Sequence, residues 1–438
     1  MPALDMINGA IARLAAGAAL VASIATPAVA QTIAITGGRV FPVSGPVIES
    51  GTVLIRDGRI VAVGADVAVP ADARRVDATG KWVTPGLLDA ATHLGVVEIG
   101  AVGETRDFAA RGRDAIAAAF RVADGLNPRS VLIDQAREGG VTSVLVLPAG
   151  GLVAGQAAVI DLLEGADATE MIVRSPVAMV AQLESPQAAG TGARGELLLR
   201  MRELLDDVRA YSSSRRAFES GNTREFIASR ADLEAMIPVL EGRLPLIVAA
   251  DRASDIQAVL RLAKEYGLKV MIAGGAEAWM VASELAAANV PVLTGSLTNI
   301  PYSFAMLGSR QENPALLRRS GVSVLLTGEG GSDAEAFNVR NIRYAAGNAV
   351  AYGMSWDDAL RSLTLEPARA FGLGDRVGTL APGLVANVVV WSGDPFEFSS
   401  SADHVFVRGQ EITTPSRAEL LEQRYRTLPP DYRGPTPP

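Results

Sequence analysis

The chain has 438 residues, 49% hydrophobic and 20% charged, with a net charge of −8. This is the composition of a folded globular protein, long enough for one large barrel with an appendage. The acidic balance, without a basic stripe, argues against a nucleic-acid partner, and the absence of cysteine excludes disulfides, thiolate metal sites and a cysteine nucleophile.

In chain order, an apolar run from Leu14 to Ile24 follows Arg13 and leads to Ala28-Val29-Ala30, an A-x-A cleavage pattern before Gln31. The run is shorter than the about 20 apolar residues a bilayer crossing needs. Residues 1–30 therefore read as a cleaved signal peptide, with a membrane anchor or a buried first helix as the alternatives. The mature chain is expected in a bacterial periplasm or outside the cell, with no membrane contact after cleavage.

From Ile33 to Val63 the text is strand-like, and Asp57-Gly58 between two β-branched runs predicts a hairpin. Similar runs return at 377–395 and 404–412, so both chain ends are expected to build one small β-domain. The middle alternates strand and helix. "LPLIVAA" (244–250), "LKVMIAG" (268–274), "VPVLTG" (290–295) and "VSVLLTG" (322–328) each precede a helical stretch. Strands apolar on both faces imply a parallel sheet with helices outside. With "VTSVLVLPAG" (141–150) and the segment 83–90, the units suffice for a (β/α)8 TIM-like barrel in the α/β class. An open doubly wound sheet is the alternative, although no glycine-rich phosphate fingerprint opens a helix. "AGGLVAGQ" (149–156) reads as a loop, and the Pro-rich end "LPPDYRGPTPP" (428–438) as an extended tail or docking peptide.

Three stretches carry a family resemblance: "TGGRVFPVSG…VLIRDGRIVAVG", "VTPGLLDAATHLG" and "LTLEPARAFGLGDRVGTLAPGLVANVVVWSGDP". With "AREGGVTSVLVLPAGGLVAGQAAVIDL" they cover most of residues 33 to 412. The sequence resembles the amidohydrolase superfamily, in particular its imidazolonepropionase-like branch. The resemblance implies a β-sandwich from residues 31–82 and 376–412, a distorted barrel over 83–375, and a C-terminal tail over 413–438. It also implies hydrolysis of non-peptide amide-type C–N bonds in small molecules, with one or two divalent metals at the barrel mouth activating a water. A homodimer, or pairing with an active relative, is the partner arrangement it suggests.

Such a metal must be gripped by converging imidazoles and carboxylates to bring the pKa of its water to about 7. The family pattern Asp-x-His-x-His is met by Asp89 and His93, but Ala91 replaces the first histidine. Where two later strands should each end in histidine, Ala249 and Asp251 stand on one and Gly274 on the other. The last strand should end in aspartate; Gly328 stands there, with Glu329 and Asp333 nearby. None of the three lysines (Lys81, Lys264, Lys269) falls at a strand's C-terminal end, so no bridging lysine is available. The chain has two histidines, and His404 belongs to the β-domain. His93 is thus the one remnant ligand, and no complete metal site and no cofactor are expected, a single divalent ion being the alternative.

Asp89, Ala91 and His93 alternate on a strand and are expected to face one cavity. Asp89 reads either as a catalytic group or as a structural carboxylate on loop N–H groups. Glu98 in "GVVEIG" is a candidate pocket acid, because an unpaired buried carboxylate is costly. Gln156 is a candidate for bonding a ligand amide, with loop pinning as the ordinary role. Asp251, Glu329 and Asp333 are the catalytic candidates, as an acid–base pair or as oxygen ligands for Mg²⁺ or Ca²⁺. Three functions follow: a retired family member that binds a small ligand, an active hydrolase with a mononuclear or metal-free site around His93, or an interaction scaffold that uses its tail.

Overall fold

The computed structural model describes residues 32–183, 192–296, 301, 303–328 and 334–427. Residues 1–30, expected to be a signal peptide, and the segment 428–438 lie outside the described residues. Two eight-stranded sheets organise the described chain. The first takes β1 (Ile33–Val40), β2 (Ile48–Arg56), β3 (Arg59–Gly64), β4 (Arg74–Asp77) and β5 (Trp82–Pro85) from the N-terminal end. The second contains β6 (Leu87–Thr92), β7 (Val141–Val146), β8 (Val153–Asp161), β9 (Ile172–Gln182), β10 (Leu246–Ala250), β11 (Val270–Gly274), β12 (Val292–Thr294) and β13 (Val324–Leu326). Strands β14 (Val388–Trp391), β15 (Ala402–Val407) and β16 (Gln410–Glu411) then return to the first sheet.

The β-domain is composite, as the two strand-rich ends predict. β14 pairs antiparallel with β5, and β1 pairs with β2, β4 and β5, so the sheet branches and folds over its own core. Ile35, Val53, Val83 and Val390 meet Phe406 inside it. The predicted hairpin joins β2 to β3, with φ of 52° at Asp57 and 72° at Gly58; positive φ at both central residues is the turn whose twist matches that of the flanking strands. One boundary moves. Residues 82–85 pair with β14 and belong to the β-domain, so the barrel begins at Leu87, past the Pro85-Gly86 break, rather than at 83.

Strands β6 to β13 follow each other in sequence order around the barrel, and β13 reaches β6 at the seam without being paired to it. Alternate residues point inward and outward. Leu145, Val180, Ile247, Met271, Leu293 and Leu325 fill the interior, while Leu246 and Val248 pack outward against the helical shell. Both faces are buried, which is why these strands read as continuous apolar runs. The helix Ala253–Tyr266 shows the outer layer's logic. Ile256, Val259 and Leu262 form its buried stripe, and Gly267 at φ 72° ends it in the left-handed conformation.

The barrel departs from eight parallel strands at one place. β8 runs antiparallel to both β7 and β9, so residues 153–156, expected to be loop, open a barrel strand. Its Ala/Gly-rich text has little strand propensity, and ladders on both sides impose the conformation. In the segment 413–438, residues Arg417–Tyr425 form a helix with a Ser416/Glu419 capping box.

Trp391 ties the two sheets together. Its ring is fully buried, its Nε1 donates to Thr84 Oγ1 at 2.8 Å, and its far edge lies against Gly140. Gly140 has φ 74°, and an added Cβ would overlap the indole. Gly140→Ala is therefore expected to cost about 2–3 kcal/mol in urea unfolding, through combined overpacking and backbone strain. A loss below ~0.5 kcal/mol would contradict this packing.

Candidate functional site

The barrel interior is packed, but above the last layer of side chains the C-terminal strand ends enclose a cavity of about 270 Å³. Ala91, His93, Gln182, Ala249, Asp251, Gly274, Thr294 and Thr327 are among its lining residues. This is the end of the fold where TIM-barrel active sites are built.

His93 follows β6 and forms one wall. Its Nδ1 donates to the Leu147 carbonyl at 2.9 Å, which fixes the tautomer, and its ring stacks on Phe108 with centroids 4.2 Å apart. Asp251 follows β10 and is 8% exposed. Its Oδ1 accepts the Ala276 N–H at 3.1 Å, tying it to the loop after β11.

Hydrogen bonds between loops brace the mouth. Glu277 accepts the N–H groups of Ala253 and Gly308, each at 3.0 Å, and so links the segments following β10, β11 and β12. Asn313, 2% exposed, donates to Gly275 O and Thr294 Oγ1 and accepts the Trp279 N–H. Arg310 lies over the Trp279 ring at 4.8 Å. Gln182, Arg310 and Asn313 were not legible in the sequence, because barrel closure and loops brought together from distant segments make them neighbours.

The structure brings His93 and Asp251 to one cavity and leaves Asp89, Glu98 and Gln156 out of its lining. Asp89 is 2% exposed but does not line the cavity; its Oδ1 accepts the Ala91 N–H at 3.0 Å. A register irregularity between Asp89 and Thr92 breaks the alternation that would have aligned Asp89 with Ala91 and His93. Burial pushes the Asp89 carboxyl up to about 7, with the Ala91 N–H opposing the shift. Glu98 is not a pocket acid. It is half-buried outside the cavity and accepts the Asn127 Nδ2 at 2.9 Å, which satisfies the carboxylate that the apolar context made conspicuous. Gln156 sits on β8, not in a loop, and donates to Ala118 O at 3.1 Å, so its amide pins a neighbouring segment. Glu329 and Asp333 lie outside the described residues.

A divalent metal of the expected kind does not fit the described donors. Among the described residues one imidazole and one carboxylate line the cavity, and no group of three or more His, Asp or Glu could hold an ion. Catalytic zinc sites use three protein ligands and an open position. Three of the positions that the family resemblance assigns to ligands do face the cavity, as Ala91, Ala249 and Gly274. Gly274 has φ 84°, and a Cβ built there would stand 2.6 Å from Asp251 Oδ1. Any side chain at 274 would thus be strained at its backbone and would require the Asp251 carboxylate to shift. The second histidine, His404, is on β15, where its Nδ1 meets Glu411 Oε1 at 2.6 Å.

Comparison with known proteins agrees with this architecture. Residues 259–412 match the amidohydrolase family. The chain is 30% identical to an amidohydrolase from Thermotoga maritima of known structure, with a TM-score of 0.79 over 87% of this chain and all of that one. It is 25% identical over 375 residues to the imidazolonepropionase of Mesorhizobium japonicum, covering 79% of this chain and 87% of the relative. The amidohydrolase tasK of Hapsidospora irregularis is also 25% identical, over 82% of this chain, but the chain spans only 39% of that protein's length. The sandwich built from both ends, the eight-stranded barrel and these relatives agree: the chain belongs to the amidohydrolase superfamily.

Proposed function

We propose that this amidohydrolase is catalytically retired and holds a small ligand at the barrel mouth without a hydrolytic metal. The observation that carries the reading is the replacement of ligand positions by two methyl groups and a hydrogen at Ala91, Ala249 and Gly274, beside a single imidazole. Hydroxide generation at neutral pH depends on a multiply ligated ion, and the described donors are too few. The braced loops and small apolar walls suit binding, since a cavity held in shape beforehand loses little entropy when filled. The leader-like residues 1–30 support a place of action outside the cytoplasm.

Hydrolysis of cyclic amides, N-acyl amino acids and dipeptides, assayed with and without added zinc, is the test. No turnover above the buffer background is expected. A second reading, an active hydrolase with a rebuilt site, is favoured by the convergence of His93 and Asp251 on one cavity. In that case a general acid–base contribution of about 10²–10⁴-fold would be lost in both His93→Ala and Asp251→Asn. Turnover that collapses in those variants would overturn retirement.

A further inference from the structure

A larger cavity, of about 1280 Å³, opens at the opposite end of the barrel, where β9 to β12 begin. Its lining carries Arg174, Arg243, Arg261, Lys264, Lys269 and Arg369 against a single carboxylate, Glu284. Two of the chain's three lysines are therefore here, in a protein whose net charge is −8.

These charges are poorly compensated. Arg243 pairs with Glu241, and Arg174 donates to the carbonyls of Phe371 and Gly372. Arg261, Lys264, Lys269 and Arg369 are exposed and make no ion pair or side-chain hydrogen bond among the described residues. Glu284 accepts from Gln257 Nε2 at 2.7 Å and meets none of them. Lys264 and Arg369 lie in the last turns of the helices Ala253–Tyr266 and Leu365–Ala370, where the helix dipole favours a cation. The dipole accounts for those two. It does not account for Arg174 and Lys269 on the strand side or for Arg261 one turn earlier.

Like charges gathered around a concave, partly apolar wall repel one another and focus a positive field into the cavity. We propose that this cavity is a binding site for a multiply charged, phosphate-bearing anion, separate from the barrel mouth. Arginine forks and lysine ammonium groups are the donors phosphate oxygens select. Walls from several elements enclose a compact anion better than an extended acidic peptide. The anion can be a soluble oligophosphate or the headgroup of a lipid, the shared chemistry being clustered phosphate charge.

Titration calorimetry of the full chain with tripolyphosphate, at about 0.15 M salt so that weak surface attraction is screened, tests the site. A Kd below about 100 µM is expected, weakening at least about tenfold in Arg261→Gln/Lys269→Gln. Cosedimentation with phosphatidic acid/phosphatidylcholine vesicles identifies the source: retention that this double variant loses assigns a headgroup, and free tripolyphosphate binding without retention assigns a soluble anion. The replaced side chains are exposed, so the variant should keep the parent's circular dichroism and melting temperature; a variant that fails this is replaced by Lys264→Gln/Arg369→Gln. Absence of binding to both probes overturns the proposal. So does binding that neither double variant weakens, or tighter binding of a poly-glutamate peptide than of tripolyphosphate.

Discussion

Arg408→Met is expected to lower the unfolding free energy by about 3–5 kcal/mol, because it leaves a buried aspartate without its cation. Asp161, at the end of β8, is 1% exposed. It accepts Ser143 Oγ at 2.7 Å, Asn387 Nδ2 at 3.3 Å and Arg408 Nε at 2.6 Å. Asn387 in turn accepts the Arg408 N–H at 2.8 Å, and Arg408 Nη1 donates to Glu170 O at 2.9 Å. Ser143 and Asp161 belong to the barrel, whereas Asn387 and Arg408 flank β14 and β15 of the β-domain. The network therefore latches the two sheets together. Adding Asp161→Asn should recover part of the loss, since the neutral amide no longer leaves an uncompensated charge. Urea unfolding of the single and double variants measures both effects; a loss under ~1 kcal/mol in Arg408→Met would show that the latch carries little stability.

The second large effect concerns pH. Asp89 is fully buried and its carboxyl is pushed up to about 7, from the 3.8 of a solvent-exposed aspartate. The folded state therefore binds this proton more tightly than the unfolded state. Its contribution to stability is full below about pH 4 and is lost as pH rises through about 7, amounting to about 4 kcal/mol at 1.36 kcal/mol per unit. Asp89→Asn keeps an oxygen for the Ala91 N–H and removes the ionisation. Unfolding free energies measured from pH 4 to 8 should fall less steeply in the variant, which becomes the more stable protein at pH 8. Equal slopes in both proteins would show that Asp89 does not ionise in this range.

Much of the fold was legible because its signals are local. Asp57-Gly58 specifies a turn, and the runs at 244, 268, 290 and 322 are short, apolar and each followed by a helix. β8 was hidden, because "VAGQAAVID" has no strong preference of its own and takes its conformation from β7 and β9. The site divides in the same way. Alternation and the family pattern put Ala91, His93, Ala249, Asp251 and Gly274 at the barrel mouth, and all five line the cavity. Asp89 takes the structural role of the two open to it, on the Ala91 N–H, and its absence from the cavity lining was not legible because a strand irregularity is invisible in a pattern of period two. Glu98 was misassigned because its partner, Asn127, lies 29 residues away. Gln182, Asn313 and the Asp161–Arg408 latch depend wholly on tertiary closure.

The most direct test of a barrel mouth without its metal is elemental analysis of the purified chain after equilibration with excess zinc and desalting. The account predicts well under ~0.1 zinc per chain, because the one imidazole and one carboxylate that the described residues bring to the cavity cannot retain the ion through desalting. Near-unit zinc that is lost in His93→Ala would contradict it.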